Sequence, residues 1–150
     1  MDLYLDASVL LPRIVREPTT GVVDTLLAGR SGRLMVGEFA IAEVASALSR
    51  LVRMGRLGSD EAAARLADFD VWRSVRASEL DVEAADVRLA GVYVRQFDLM
   101  LRVPAALHAA ICRRLRLTLV TLDRKLAAAA RVLGVDVAVP GAAHSGGGAM

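Results

Sequence analysis

Two aspartates lie at the ends of predicted strands, where a carboxylate could bind a ligand. Asp6 directly follows the apolar run Leu3–Leu5, and Asp123 follows the apolar run 117–121 after one leucine. In open α/β sheets, ligands bind beside the carboxyl ends of strands, where the strand order reverses. Two acids at such a place could share a divalent cation, because Mg²⁺ and Mn²⁺ prefer oxygen ligands. The alternative is that each aspartate only caps the helix that follows it.

Three further polar residues accompany these acids. Ser8 lies two residues after Asp6 and could hydrogen-bond that carboxylate or cap its own helix. Glu43 lies off the apolar stripe of its helix and near Arg50, a pattern typical of a solvent-exposed residue. His108 lies among leucine and alanine residues. This setting favours a histidine packed in the core, or one that contacts a site residue, over one that binds a metal.

The elements that position these residues alternate between short apolar strands and amphipathic helices. Strands are expected at 3–5, 34–36, 79–82, 117–121 and 135–139, and helices at 7–16, 18–29, 38–54, 59–76, 83–97, 104–116 and 123–133. This alternation predicts a parallel sheet of four or five strands with helices on both faces. Ser59 is expected as an N-cap, and Phe69, Trp72 and Phe97 as core residues. Residues 1–140 form one expected domain, and the glycine-rich residues 141–150 a flexible tail.

Composition excludes several classes of protein. The 150 residues are 55% hydrophobic with a net charge of +2, which argues against disorder. The single cysteine, Cys112, excludes an internal disulfide and a cysteine-rich zinc site. No apolar run is long enough for a membrane span, and no basic segment resembles a signal peptide, so we expect a cytoplasmic protein without a membrane partner. No glycine-rich phosphate loop is present.

Four segments carry a family resemblance. Asp-Ala-Ser-Val-Leu at 6–10, Phe-Ala-Ile-Ala-Glu-Val-Ala-Ser-Ala-Leu at 39–48, Leu-Arg-Val-Pro-Ala-Ala-Leu-His-Ala-Ala at 101–110 and Thr-Leu-Asp-Arg-Lys-Leu-Ala-Ala-Ala-Ala at 121–130 resemble PIN-domain ribonucleases. They are similar in particular to the VapC-type toxins of bacterial toxin–antitoxin pairs. The resemblance implies a PIN-like three-layer fold and an endoribonuclease that uses Mg²⁺ or Mn²⁺ to cleave RNA. It also implies a cognate antitoxin that holds the enzyme inactive, and a homodimer.

The resemblance also assigns roles to individual residues. It implies that Asp6, Glu43 and Asp123 are the catalytic acids and that Asp6 and Asp123 hold the metal. Ser8 and Thr121 would be nearby polar support. Glu43 thereby becomes a site residue, which its position on the helix alone does not predict.

One position departs from the family pattern. Ala105 stands where these proteins usually carry an aspartate, at the start of the predicted helix 104–116. This chain therefore resembles an enzyme that lacks one of its four carboxylates. We expect it to be inactive or weakened in catalysis.

Two other functions remain open on the sequence. A non-catalytic PIN-like module could bind RNA or an antitoxin through the same cleft. A phosphatase built around Asp6 is disfavoured, because position 8 is serine and not the second aspartate such a site needs.

Eighteen of the 19 basic residues are arginine, a side chain that suits phosphate, although a coding bias is the simpler explanation. Arg13, Arg102 and Arg124 are the phosphate-binding candidates nearest the acids.

Overall fold

Five short strands form one parallel sheet in the computed structural model, which describes residues 1–142. The strands are β1 (Leu3–Leu5), β2 (Leu34–Gly37), β3 (Ala77–Leu80), β4 (Thr118–Val120) and β5 (Val137–Ala138). Their order across the sheet is β3-β2-β1-β4-β5, and every neighbouring pair is parallel. The predicted parallel sheet is confirmed.

Helices connect the strands. They are α1 (Ala7–Ile14), α2 (Thr20–Ala28), α3 (Glu38–Arg53), α4 (Ser59–Arg76), α5 (Ala84–Val94), α6 (Val103–Leu115) and α7 (Arg124–Val132). A short 3-10 helix, Phe97–Leu99, lies between α5 and α6. None of the helices in this part of the chain is both long and apolar enough to cross a membrane.

The alternation of side chains along the strands creates two cores. On β1, Leu3 and Leu5 belong to a cluster with buried residues of α1 to α4, whereas Tyr4 belongs to a cluster with α5, α6 and α7. Successive strand residues point to opposite faces of a sheet, so each face buries its own set of helices. The result is the expected three-layer arrangement of helices, sheet and helices.

The order of the strands reverses between β1 and β4. The chain moves from β1 outward through β2 to β3, and then returns to the other side of β1 for β4 and β5. Leu3, Tyr4 and Leu5 pair with Thr118, Leu119 and Val120 in register. The carboxyl ends of β1 and β4 therefore open side by side into a crevice of the kind that binds ligands in such sheets.

Three local expectations were wrong. The third strand begins at Ala77 and not at 79, because α4 leads straight into pairing with β2 at Leu34. Gly58, and not Ser59, occupies the N-cap of α4. Helix α5 ends at Val94, so Phe97 falls in the 3-10 turn and is 83% exposed instead of buried. Of the expected flexible tail at 141–150, residues 143–150 lie outside the described residues.

Candidate active site

The two strand-end aspartates differ in what their carboxylates do. Asp6 occupies the N-cap position of α1, but its side chain makes no capping hydrogen bond. Asp123 does cap α7, and its Oδ1 accepts a hydrogen bond from the backbone N–H of Leu126 at 3.1 Å. Capping alone therefore accounts for Asp123 but not for Asp6, which is only 4% exposed.

Two hydroxyl groups hold the Asp6 carboxylate. Ser8 donates to Oδ1 and Thr121 donates to Oδ2, each at 2.6 Å. Burial raises the pKa of the Asp6 carboxyl, and the hydroxyl groups of Ser8 and Thr121 lower it in part. Each carboxylate oxygen thus has one donor, and its remaining lone pairs are available for another partner.

The same hydroxyl groups join the ends of β1 and β4. Thr121 Oγ1 accepts the backbone N–H of Asp123 at 3.0 Å, and Ser8 Oγ accepts the backbone N–H of Leu122 at 2.9 Å. The two hydroxyl oxygens lie 3.3 Å apart. Asp6, Ser8, Thr121 and the Asp123 backbone therefore form one hydrogen-bonded cluster, which brings four predicted site residues together.

Glu43 belongs to a second hydrogen-bonded group. Its Oε1 lies 2.5 Å from Nε2 of His108, which projects from α6 and is 4% exposed. Nδ1 of the same imidazole lies 2.6 Å from the hydroxyl of Tyr4 on β1. The imidazole ring is also 5.6 Å from the rings of both Tyr4 and Phe39, measured between centroids. Glu43 is thus anchored to the interior and is not the free surface residue that its helical position suggests.

Ala105 lies in the first turn of α6, one turn before His108. Residues three apart share a helix face, so position 105 lies on the side of α6 that carries the imidazole bound to Glu43. Ala105 is half-buried and packs against the α5–α7 core. The position that departs from the family pattern therefore borders the candidate site.

The acids do not converge into a complete metal centre. Within residues 1–142, no three histidine, cysteine, aspartate or glutamate side chains are grouped closely enough to hold a metal ion. Mg²⁺, however, is commonly held by one or two carboxylates together with water molecules. The oxygen donors of Asp6 and Asp123 fit such an ion in chemical type, although the set is short of ligands.

A cavity of about 480 Å³ opens beside Glu43 along α3. Arg50, Arg53 and Arg56 line it, and all three are exposed and make no ion pair within the described chain. Arg50 lies seven residues after Glu43, so both occupy one face of α3. Sequence reasoning missed these arginines as phosphate-binding candidates, although the seven-residue spacing from Glu43 would have indicated Arg50. By contrast, the expected candidate Arg13 is engaged by Asp24 at 2.8 Å.

The fold and the crevice define a doubly wound α/β protein with an acidic site at its switch point. The model of the PIN domain family matches residues 3–132, and the chain belongs to that family. No curated protein sequence matches the chain.

Several solved structures share the fold. VapBC2 from Rickettsia felis, bound to a DNA fragment from its promoter, has a TM-score of 0.69 at 16% identity, covering 93% of this chain and 98% of that one. The sarcin–ricin loop cleaving toxin VapC20 from Mycobacterium tuberculosis has a TM-score of 0.68 at 19% identity, covering 85% and 95%. PAE2754 from Pyrobaculum aerophilum has a TM-score of 0.64 at 23% identity, covering 91% and 83%. At these identities the likeness establishes the fold.

Proposed function

We propose that this chain is a divalent-metal-dependent endoribonuclease toxin that a cognate antitoxin neutralises. The observation that best supports this proposal is the buried Asp6 carboxylate, which two hydroxyl groups hold at the switch point beside Asp123. A helix cap needs neither that burial nor those bonds. Membership of the PIN family and the likeness to a toxin that cleaves the sarcin–ricin loop support RNA as the substrate.

Asp6 and Asp123 would hold Mg²⁺ or Mn²⁺ in this proposal. The ion would supply positive charge against the negative charge that develops on the phosphoryl oxygens during cleavage. Ser8 and Thr121 hold the Asp6 carboxylate in one orientation, so that the lone pairs they leave free have a fixed position. Glu43, which His108 holds, would add a third negative group and orient polar groups of the substrate.

The arginines along α3 would bind the RNA backbone. A helix rises 1.5 Å per residue, so Arg50 lies about 10 Å along α3 from Glu43. That distance reaches phosphates one or two nucleotides away from a scissile bond near Glu43. A guanidinium group binds phosphate with two parallel hydrogen bonds, which favours arginine over lysine here.

Ala105 weakens the enzyme in this proposal. An aspartate in the first turn of α6 would add a carboxylate on the face that carries His108. Its absence removes one negative charge and one oxygen donor from a site that is already short of ligands. The chain is therefore expected to bind metal and cleave RNA poorly. Restoration of the acid is the direct test, and EDTA should abolish the restored cleavage.

A non-catalytic PIN module remains the second candidate. It is favoured by one observation, that the acids within residues 1–142 form no three-ligand cluster. Such a module would bind RNA or an antitoxin equally well with Ala105 or with aspartate at that position. Binding without cleavage by both chains in Mg²⁺ would select this alternative.

The proposed partners are an antitoxin and a second copy of the chain. Support comes from the fold shared with VapBC from Salmonella typhimurium and with a toxin–antitoxin complex from Klebsiella pneumoniae. A mean hydropathy of +0.43 is also high for a lone 150-residue domain. Light scattering of the purified chain should give the mass of a dimer. A chain that stays monomeric and does not bind a co-expressed antitoxin would contradict both partners.

A further inference from the structure

We propose that Tyr4 and His108 form a buried positioning chain that fixes the Glu43 carboxylate at the candidate active site. This inference rests on the proposed function, because it gives Glu43 a role there. Neither Tyr4 nor His108 would touch the substrate. Both act through Glu43, by setting which of its oxygens is bound and which is free.

The direction of the hydrogen bonds follows from the phenol of Tyr4. The side chain is 0% exposed, and among the described residues its hydroxyl has a single hydrogen-bond partner, Nδ1 of His108. A phenol has an ordinary pKa of about 10, so at neutral pH it is an O–H group. A buried donor without an acceptor is unfavourable, because it loses its hydrogen bonds to water and gains none inside the protein. The phenol therefore donates to Nδ1.

That hydrogen bond determines which nitrogen of the imidazole carries the hydrogen. With Nδ1 as an acceptor, the imidazole carries its hydrogen on Nε2, which then donates to Oε1 of Glu43 at 2.5 Å. The chain of donors runs from Tyr4 through His108 to Glu43 and leaves no group within it unsatisfied. The reverse direction would leave the phenol without an acceptor.

The surroundings hold this arrangement. The rings of Tyr4 and Phe39 lie 5.6 Å from the imidazole, which limits its rotation. Position 37 is glycine, and a Cβ atom there would lie 3.1 Å from the Tyr4 hydroxyl, closer than ordinary contact. Gly37 therefore leaves the space that the hydroxyl occupies. A glutamate side chain otherwise samples many rotamers, so a fixed Oε1 removes most of that freedom.

The consequence for the site concerns the other carboxylate oxygen. Oε2 of Glu43 makes no hydrogen bond within residues 1–142, and the side chain borders the arginine-lined cavity. One oxygen is thus anchored inward and the other is free. An acid held in this way offers its free oxygen in one place, without the cost of ordering it when substrate binds.

The first test is a measurement of the imidazole tautomer. Long-range ¹⁵N–¹H correlation spectra of the full chain contain signals from His108 and His144 only, and His144→Gln assigns them. We expect His108 to carry its proton on Nε2, with Nδ1 unprotonated. Tyr4→Phe should change this signature, whereas Tyr93→Phe, a matched change in the same core, should leave it intact. A proton on Nδ1, or an unchanged Tyr4→Phe spectrum, would overturn the proposal.

The second test separates the positioning role from simple packing. In an Ala105→Asp background, Tyr4→Phe and His108→Leu should each lower kcat for RNA cleavage about 10-fold with KM nearly unchanged. His108→Gln, whose amide is able to donate to Glu43, should recover part of the loss. Equal kcat values in all these variants would overturn the proposal. If the Ala105→Asp chain itself cleaves no RNA, the proposed function fails, while the spectra still decide the hydrogen-bond chain.

Discussion

The charge and orientation of the Asp6 carboxylate depend on the hydroxyl groups of Ser8 and Thr121. Burial works against its charge, and Ser8 and Thr121 offset part of that cost by donating one hydrogen bond to each oxygen. The Thr121 hydroxyl makes a second hydrogen bond, in which it accepts the backbone N–H of Asp123. A single side chain thus ties together the acids that follow β1 and β4.

Replacement of Thr121 by valine keeps the shape and removes the hydroxyl. Oδ2 of Asp6 then loses its donor inside the protein, so we expect Thr121→Val to lower the free energy of unfolding by about 1–3 kcal/mol. Urea denaturation measures this as a lower midpoint. Thr25→Val is the matched control, because the Thr25 hydroxyl is exposed and bonds only a helix carbonyl. Equal midpoints for the two variants would mean that the Asp6–Thr121 bond contributes nothing to stability.

At the scale of elements, α6 is held in place from both of its ends. Its first turns carry Ala105 and His108, and its last turn carries Arg114, which binds Asp86 of α5 through Nε at 2.7 Å and Nη2 at 2.8 Å. Asp86 is 1% exposed and also accepts the backbone N–H of Glu83 at 2.9 Å. The α5–α6 contact therefore positions the helix that borders the candidate site.

The Asp86–Arg114 pair predicts a pH dependence of stability. Burial raises the pKa of the Asp86 carboxyl, but the hydrogen bonds from Arg114 and from the Glu83 backbone outweigh it, and the net shift is downward. A lowered folded-state pKa stabilises the fold at every pH above the ordinary value of 3.8, and this stabilisation disappears as the pH falls through the folded-state pKa. The pair therefore contributes fully at neutral pH and is lost in acid.

Asp86→Asn should lower the free energy of unfolding by about 2 kcal/mol at pH 7, since hydrogen bonds to charged groups contribute that much. The difference from the parent chain should shrink below pH 3.8. Denaturation midpoints at a series of pH values measure both effects. Asp81→Asn, in the exposed segment before α5, is the control and should have little effect. A pH-independent difference would show that the charge of Asp86 is not what stabilises α5 against α6.

The elements were predictable from the sequence because apolar periodicity is a local property. The runs at β1, β2 and β4 and the stripe of α3 identified the sheet and its parallel connections, and the aspartates after β1 and β4 marked its switch point. Element ends were less predictable: β3 starts where pairing with β2 begins, and Phe97 lies beyond the end of α5. The start of β3 depends on pairing with β2, whose residues are distant in sequence.

The candidate site was predictable only in part for the same reason. Ser8 and Thr121 lie beside the aspartates in sequence, so their proximity to Asp6 could be expected. The contact of Glu43 with His108 joins residues 65 positions apart, and the contact of His108 with Tyr4 spans 104. No periodicity indicates contacts of that range. The helical pattern therefore predicts a surface residue at Glu43, and only the family resemblance assigns it to the site.

At the scale of the whole molecule, three arginines are grouped around one cavity although the net charge is only +2. Arg50, Arg53 and Arg56 line one cavity with Glu43, on the α1–α4 side of the sheet. A local field of this kind attracts a polyanion without a strongly basic protein. RNA binding should then depend on a few particular arginines and on salt.

Arg50→Ala should weaken binding of a single-stranded RNA oligonucleotide in EDTA and lower the slope of log K against log salt by about 0.7–1. Fluorescence anisotropy at several salt concentrations measures the slope. Arg88→Ala removes the same charge from an exposed position on α5, across the sheet, and should leave the slope unchanged. Identical slopes for the two variants would exclude the α3 cavity as the RNA-binding surface.

The proposed function is a metal-dependent ribonuclease whose site lacks one acid, at position 105. Its direct test compares single-turnover cleavage of a structured RNA in Mg²⁺ by the parent chain, by Ala105→Asp and by Ala105→Asp with Asp6→Asn. Ala84→Asp, the same change in the exposed first turn of α5, controls for added charge. All four chains are assayed at one concentration, with and without EDTA.

We expect the Ala105→Asp chain to cleave at least about 10-fold faster than the parent, because loss of a group that only supports a metal ligand already costs about that much. The added Asp6→Asn change and EDTA should each abolish the cleavage, and the Ala84→Asp chain should behave like the parent. Cleavage by the parent as fast as by Ala105→Asp would contradict a role for position 105. Absence of metal-dependent cleavage by every chain would contradict the ribonuclease itself.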